Sequence, residues 1–138
     1  MFGNMADAFN IIISCSVNDK TFSQLLADRL IDEGYLVHVN RYNATTAIIR
    51  QKFQKSDLIL VLFSQNYTTD ENCLADLKFA QTIKKKILPV FLTKNFLEQD
   101  WIQYITTQEL YYELFEEEIR FELDENFDLK YDKLLIEI

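Results

Sequence analysis

Residues 58–63, Leu-Ile-Leu-Val-Leu-Phe, form an unbroken apolar run with no polar residue to offer a solvent face. A run this short and this apolar suits a strand buried on both faces, as the central strands of a parallel sheet are. Phe9–Ser14 (FNIIIS) repeats the pattern with β-branched residues. Tyr35–Val39 (YLVHV) and Ile87–Leu92 (ILPVFL) supply two more strands. Pro89 in the last of these predicts an edge position or a local irregularity, because proline donates no ladder hydrogen bond.

Between these runs the apolar period changes from continuous to helical. In Asp19–Glu33, Phe22, Leu25, Leu26, Leu30 and Ile31 recur at three- and four-residue spacing. Asp19 or Thr21 can cap the start, and Gly34 stands where a helix commonly ends in the left-handed conformation. Thr46–Lys55 reads as a short helix with Ile48, Ile49 and Phe53 inward. Thr69–Lys84 reads as another, with Cys73, Leu77, Ala80 and Ile83 on one side. A short helix is expected around Trp101–Ile105, a fifth strand at Leu110–Phe115, a charged loop at Glu116–Asn126 and a last helix at Tyr131–Ile138. Residues 1–8 read as a tail and 9–138 as one domain.

Strands alternating with helices across short connections argue a parallel sheet with helices on both faces. Five strands in this length match an α/β flavodoxin-like doubly wound sheet of order 2-1-3-4-5. Ligands in such folds bind beyond the carboxyl ends of the strands, where the winding reverses. Three segments should gather there: Ser14–Asp19, His38–Thr45 and Ser64–Asp76.

Composition narrows the function classes. The formal net charge of -8 is unevenly placed. Residues 1–108 hold 11 acidic and 11 basic residues, whereas residues 109–138 hold 11 acidic and 3 basic. A neutral body with an acidic end lacks the basic surface a nucleic-acid partner requires. Gly3 and Gly34 are the two glycines, so neither a dinucleotide-binding glycine fingerprint nor a P-loop can be present. His38 is the one histidine and lies mid-strand, where it reads as a partly buried structural residue. A histidine-based metal site or catalytic triad has nothing else to draw on. Cys15 and Cys73 lack companion ligands, so no metal is expected, and they read as reduced thiols of a cytoplasmic protein. The N-terminus does not resemble a signal peptide, and no apolar run approaches the ~18 residues needed to span a bilayer, so direct membrane insertion is not expected. Ser14-Cys15-Ser16 stands where a phospho-accepting receiver domain would carry paired Asp residues. The one basic run, Lys84-Lys85-Lys86, either complements a helix C-terminus or docks on an acidic surface, such as the Glu116–Glu118 end of another copy.

Four stretches, in the right order and spacing, resemble the Toll/interleukin-1 receptor (TIR) domains, and the resemblance covers about Phe9 to Ile138. FNIIISCSVNDK at 9–20 is similar to the family's first strand and loop. KSDLILVLFSQNY at 55–67 resembles its Ser-Asp, apolar strand, Ser-x-Asn-Tyr signature. ENCLADLKFA at 71–80 resembles the helix that opens Trp-Cys or Asn-Cys, and KKILPVFL at 85–92 the Lys-x-Ile-x-Pro-Val strand. Trp101 and Leu110–Phe115 are similar to the ending of some cytosolic animal members.

The resemblance implies two functional classes: modules that recruit other TIR domains in innate-immune or stress signalling, and enzymes that cleave the nicotinamide–ribose bond of NAD+. Enzymatic members carry a Glu four residues after the Trp or Asn that precedes the Cys; here that position is Asp76. A carboxylate near the ribose stabilises an oxocarbenium-like centre. Asp places it roughly 1–1.5 Å short, and a displacement of about 1 Å can cost about a hundredfold in rate. Cys15 stands at a usual Tyr, His38 at a common Trp, Asn40 at a common Asp and Asn43 where some members have Gly. The leading expectation is homotypic association with other TIR domains, a homo-oligomer included, through Arg41, Tyr42 and Asn43 and through Lys84, Lys85 and Lys86. The alternative is an NAD+ glycohydrolase using Asp76 with Ser14, Ser16 and Tyr42, and NAD+ enters only there, as substrate or ligand. A third reading is a domain that binds a nucleotide without turnover. Against these, Asp76 also reads as a solvated helix residue, Ser14, Ser16 and Ser64 as partners of backbone groups at strand ends, and Tyr67 and Trp101 as core.

Overall fold

A computed structural model describes residues 9–40, 46–92, 98–116, 119–120 and 127–138. In chain order the elements are β1 (Asn10–Ser14), α1 (Lys20–Asp32), β2 (Leu36–Val39), α2 (Thr46–Lys55), β3 (Leu58–Phe63), α3 (Gln65–Thr68), α4 (Glu71–Thr82), β4 (Ile87–Phe91), α5 (Glu98–Thr107), β5 (Ile119–Arg120) and α6 (Phe127–Glu137). The strands form one parallel sheet of order β2-β1-β3-β4-β5.

All residues of β3 and β4 are buried, which is why their sequences carry no polar alternation. Successive side chains point to opposite faces and so feed two cores. Ile11, Ile13, Leu58, Leu60, Leu62, Leu88 and Val90 pack with Leu26, Ala27 and Leu30 of α1 and with Tyr131 and Leu134 of α6. Ile12, Ile59, Val61, Phe63 and Phe91 pack with α2, α3, α4 and α5 through Phe53, Tyr67, Cys73, Leu77, Trp101 and Ile105. Phe63 centres an aromatic cluster with Tyr67, Phe91, Trp101, Tyr104 and Phe115, at ring separations of 5.3–6.2 Å. On the first two helices the inward stripe is narrower than the sequence spacing predicts. Leu25, Ile31 and Ile48 are exposed.

Three helix ends follow one device. The Tyr35 N–H donates to the Leu30 carbonyl and the Gly34 N–H to that of Ile31, with Gly34 at φ +103°. This is the paired hydrogen-bond motif that closes a helix through one left-handed residue. α4 and α5 end the same way on Lys84 and Glu109, both at φ +58°. Neither is glycine, so both carry the steric cost of that conformation.

Several expectations need correction. The segment 110–115 is not the fifth strand. Residues Tyr112–Leu114 form a 3-10 turn, Phe115 makes a single bridge to Ile87, and β5 lies at Ile119–Arg120, inside the span expected as a loop. The reason is a side chain. Gln81 takes the N–H and carbonyl of Tyr111, the groups a strand would give to its ladder, at 2.7 and 2.9 Å. The helix expected at Thr69–Lys84 is α4, started at Glu71 by the Asp70 carboxylate, which accepts from the N–H groups of Asn72 and Cys73; the short α3 before it, capped by Ser64, was not expected. Pro89 lies inside the sheet. The Ile87 carbonyl faces β5 and the Leu92 N–H faces β3, so alternation turns the Pro89 nitrogen toward β5, whose regular pairing begins only at Val90. His38 lies exposed on the edge strand β2, and its pKa is lowered by partial burial and by Lys52.

Candidate functional site

Winding reverses between β1 and β3, and the carboxyl ends of these strands with that of β2 carry the cleft. Asp19, in the 3-10 turn that follows β1, accepts a 2.6 Å hydrogen bond from the Ser64 hydroxyl at the end of β3. Ser64 also accepts from the Tyr67 N–H at 3.2 Å. Tyr67 is fully buried, and its hydroxyl lies 2.9 Å from Ser14 Oγ and 3.4 Å from the Cys73 carbonyl, to which it donates. Burial, first of all, holds the Tyr67 phenol far above its ordinary value. One tyrosine thus ties the end of β1 to the first turn of α4.

Asp76 faces this junction from the second turn of α4. The side-chain amide of Asn40, the residue after β2, donates to Asp76 Oδ2 at 2.5 Å. The backbone N–H of Asn40 donates to the Ile13 carbonyl, which fixes it beside β1. Burial raises the Asp76 pKa to about 6; Asn40 and Arg50 oppose the rise and Asp70 adds to it. Asn40 is itself buried, and its Oδ1 has no hydrogen-bond partner among the described residues.

The structure therefore gathers Ser14, Ser16, Ser64 and Asp76 at one end of the sheet. Ser14 and Ser16 are almost wholly buried, and Ser16 Oγ accepts from the Asn18 N–H at 3.2 Å. Arg41, Tyr42 and Asn43 lie outside the described residues. Lys84, Lys85 and Lys86 stand at the opposite end of the sheet, in the turn into β4, where the Lys85 ammonium donates to the Ser56 carbonyl at 2.7 Å. Sequence reasoning noted Asn40 only as a departure from a family pattern and missed it as the partner of Asp76. Its signal was a polar residue directly after the second strand. Among the described residues no group of His, Cys, Asp and Glu is arranged to hold a metal ion, and no helix is long and apolar enough to cross a membrane.

Fold and cleft together define a doubly wound α/β domain with a polar switch-point site. Residues 11–128 match the TIR domain family, and the chain belongs to that family, a TIR-type signalling module. Among solved structures it is similar to the TIR domains of the activated Roq1 resistosome that directly recognizes the pathogen effector XopQ. The identity is 15%, the TM-score 0.61, and 94% of this chain and 98% of that chain are covered. It is similar in fold to a putative pilus assembly-related protein from Burkholderia pseudomallei, with 14% identity, a TM-score of 0.55 and coverage of 99% and 93%. The rubredoxin oxygen:oxidoreductase of Desulfovibrio gigas matches at 12% identity and a TM-score of 0.54, over 91% of this chain and 33% of that one. No curated protein matches the chain.

Proposed function

We propose that this TIR domain acts in the cytoplasm by homotypic association, in innate-immune or stress signalling, with weak or no catalysis. The observation that carries the reading is how the polar groups of the cleft are used. Ser14 is bonded to Tyr67, Ser16 to the Asn18 N–H, Ser64 to Asp19 and Asp76 to Asn40. A ligand that engaged the candidate binding groups would have to displace bonds already made within the chain, and a buried group left without its partner costs about 1–3 kcal/mol. Association with other TIR domains does not depend on opening that cleft. Static light scattering over a wide concentration range tests the reading. A mass that rises with concentration is expected; a monomer at all concentrations that also binds no other TIR domain would sink it.

One observation favours the second reading, an NAD+ glycohydrolase. Asp76 is a half-buried carboxyl whose pKa burial raises to about 6, beside an amide oxygen that has no hydrogen-bond partner among the described residues; carboxyls perturbed in this way are typical of acid–base and electrostatic groups in enzymes. Nicotinamide release on incubation with NAD+, abolished in Asp76→Ala and raised in Asp76→Glu, would establish it. No release from the wild type or from Asp76→Glu would leave association alone.

A further inference from the structure

The basic run of this chain and the start of its acidic end meet on one surface, at the amino end of β4. Glu116 donates its N–H to the Ile87 carbonyl at 2.7 Å, which sets it beside Lys86. Lys84, Tyr111, Glu113 and Leu114 line a groove of about 550 Å³ together with Gln81 and Thr82. Lys84, Lys86, Glu113 and Glu116 are all exposed, and among the described residues no ion pair joins any two of them. The charges of Lys84 and Lys86 cancel those of Glu113 and Glu116, on a chain of net charge -8.

Two aromatic rings stand in this patch on a fixed backbone. Tyr111 is 62% exposed and Tyr112 55% exposed. The Gln81 amide clamps Tyr111 through both its backbone groups, and the Tyr112 ring stacks on Trp101 at 5.6 Å. Exposed tyrosines held this way give contact area at little further entropic cost, which is the character of binding hot spots. A surface that carries both charge signs side by side, with rings next to a groove, is complementary to itself. Because Lys84 and Glu113 line the same groove, a two-fold axis through it would set Lys84 of one copy opposite Glu113 of the other and repeat the contact in reverse.

We infer that this surface pairs two copies of the chain in a closed two-fold dimer, rather than in an open head-to-tail array. The inference rests on the association reading and names its surface. Each copy carries the same negative charge, but at physiological salt the Debye length is about 8 Å, so close pairs outweigh repulsion between distant groups.

Sedimentation equilibrium of the whole chain at that ionic strength tests it. A monomer–dimer equilibrium without growth past dimer is expected. Lys84→Glu alone and Glu113→Lys alone each place like charges opposite one another twice, so each dimer should weaken about tenfold or more. An equimolar mixture of the two variants should recover the wild-type affinity, since both contacts then join opposite charges. Glu109 already occupies the backbone conformation of Lys84 in this chain, so Lys84→Glu is tolerated there, and far-ultraviolet circular dichroism verifies the fold. Growth beyond dimer would overturn the closed geometry. Undiminished dimers in both single variants, or a mixture no stronger than its components, would overturn the surface while leaving association standing. A wild-type chain that never leaves the monomer would overturn both this inference and the association reading.

Discussion

Replacing Asp76 with Asn exposes the energetic cost of the buried carboxylate. Its pKa is raised from 3.8 to about 6, chiefly by burial. A carboxyl raised in this way keeps its proton in the folded state after the unfolded chain has lost it. The stability it contributes is therefore full at low pH and is lost as pH rises from about 4 to about 6. At face value the rise is worth about 3 kcal/mol, but Asp76 is only half-buried, and solvent screening brings this to about 1–2 kcal/mol. Asn in its place cannot ionise. It still accepts from the Asn40 amide, and its own amide can donate to Asn40 Oδ1, which has no partner among the described residues. Asp76→Asn should thus stabilise the domain at pH 7.5 by about 1–2 kcal/mol, or about 3–6 °C in Tm for a chain of this size. At pH 4.5, where the wild-type group is itself protonated, most of the difference should vanish. Thermal unfolding of both proteins at the two pH values reads this directly. An equal gain at both pH values, or a loss at pH 7.5, would refute the reasoning.

Tyr67→Phe removes the hydroxyl that meets Ser14 and the Cys73 carbonyl in a fully buried site. The unpartnered Ser14 hydroxyl should cost about 1–3 kcal/mol, read by urea titration. Lys84→Gly and Glu109→Gly each relieve a left-handed residue at φ +58°, for a net gain of up to about 1 kcal/mol after the added flexibility of glycine in the unfolded chain. Gly34→Ala should lose about 1–2 kcal/mol on backbone strain alone, since a Cβ there meets nothing within 4 Å. Gln81→Leu frees both backbone groups of Tyr111, and amide hydrogen exchange at residues 110–115 should rise while that of β3 stays unchanged.

The strands most buried in the sheet were the most legible in the sequence. Leu58–Phe63 and Ile87–Phe91 must be continuous apolar runs, because helices cover both faces of the sheet. Thr46–Lys55 was read to its ends, and Gly34 marked the close of α1 as its left-handed geometry requires. Lys84 and Glu109 take that same geometry without any residue-type signal, since the surrounding contacts, rather than local preference, hold them there. In the segment after α5, Leu-Tyr-Tyr-Glu-Leu-Phe has strand composition. Its fate was set by Gln81, thirty residues earlier in the chain.

The sequence by itself determined the alternation of strands and helices, the family, and the position of a carboxylate on the helix that leads into β4. Those depend on local period and on short motifs whose spacing survives without a partner. Only the tertiary structure decided what that carboxylate meets. Asn40 and Asp76 are separated by 36 residues, and Ser14 and Tyr67 by 53. A hydrogen bond needs placement to within a few tenths of an ångström, and a pKa depends on how much water is excluded. Neither is encoded in spacing along the chain. Both arise when the parallel crossovers bring the carboxyl ends of β1, β2 and β3 to one end of the sheet.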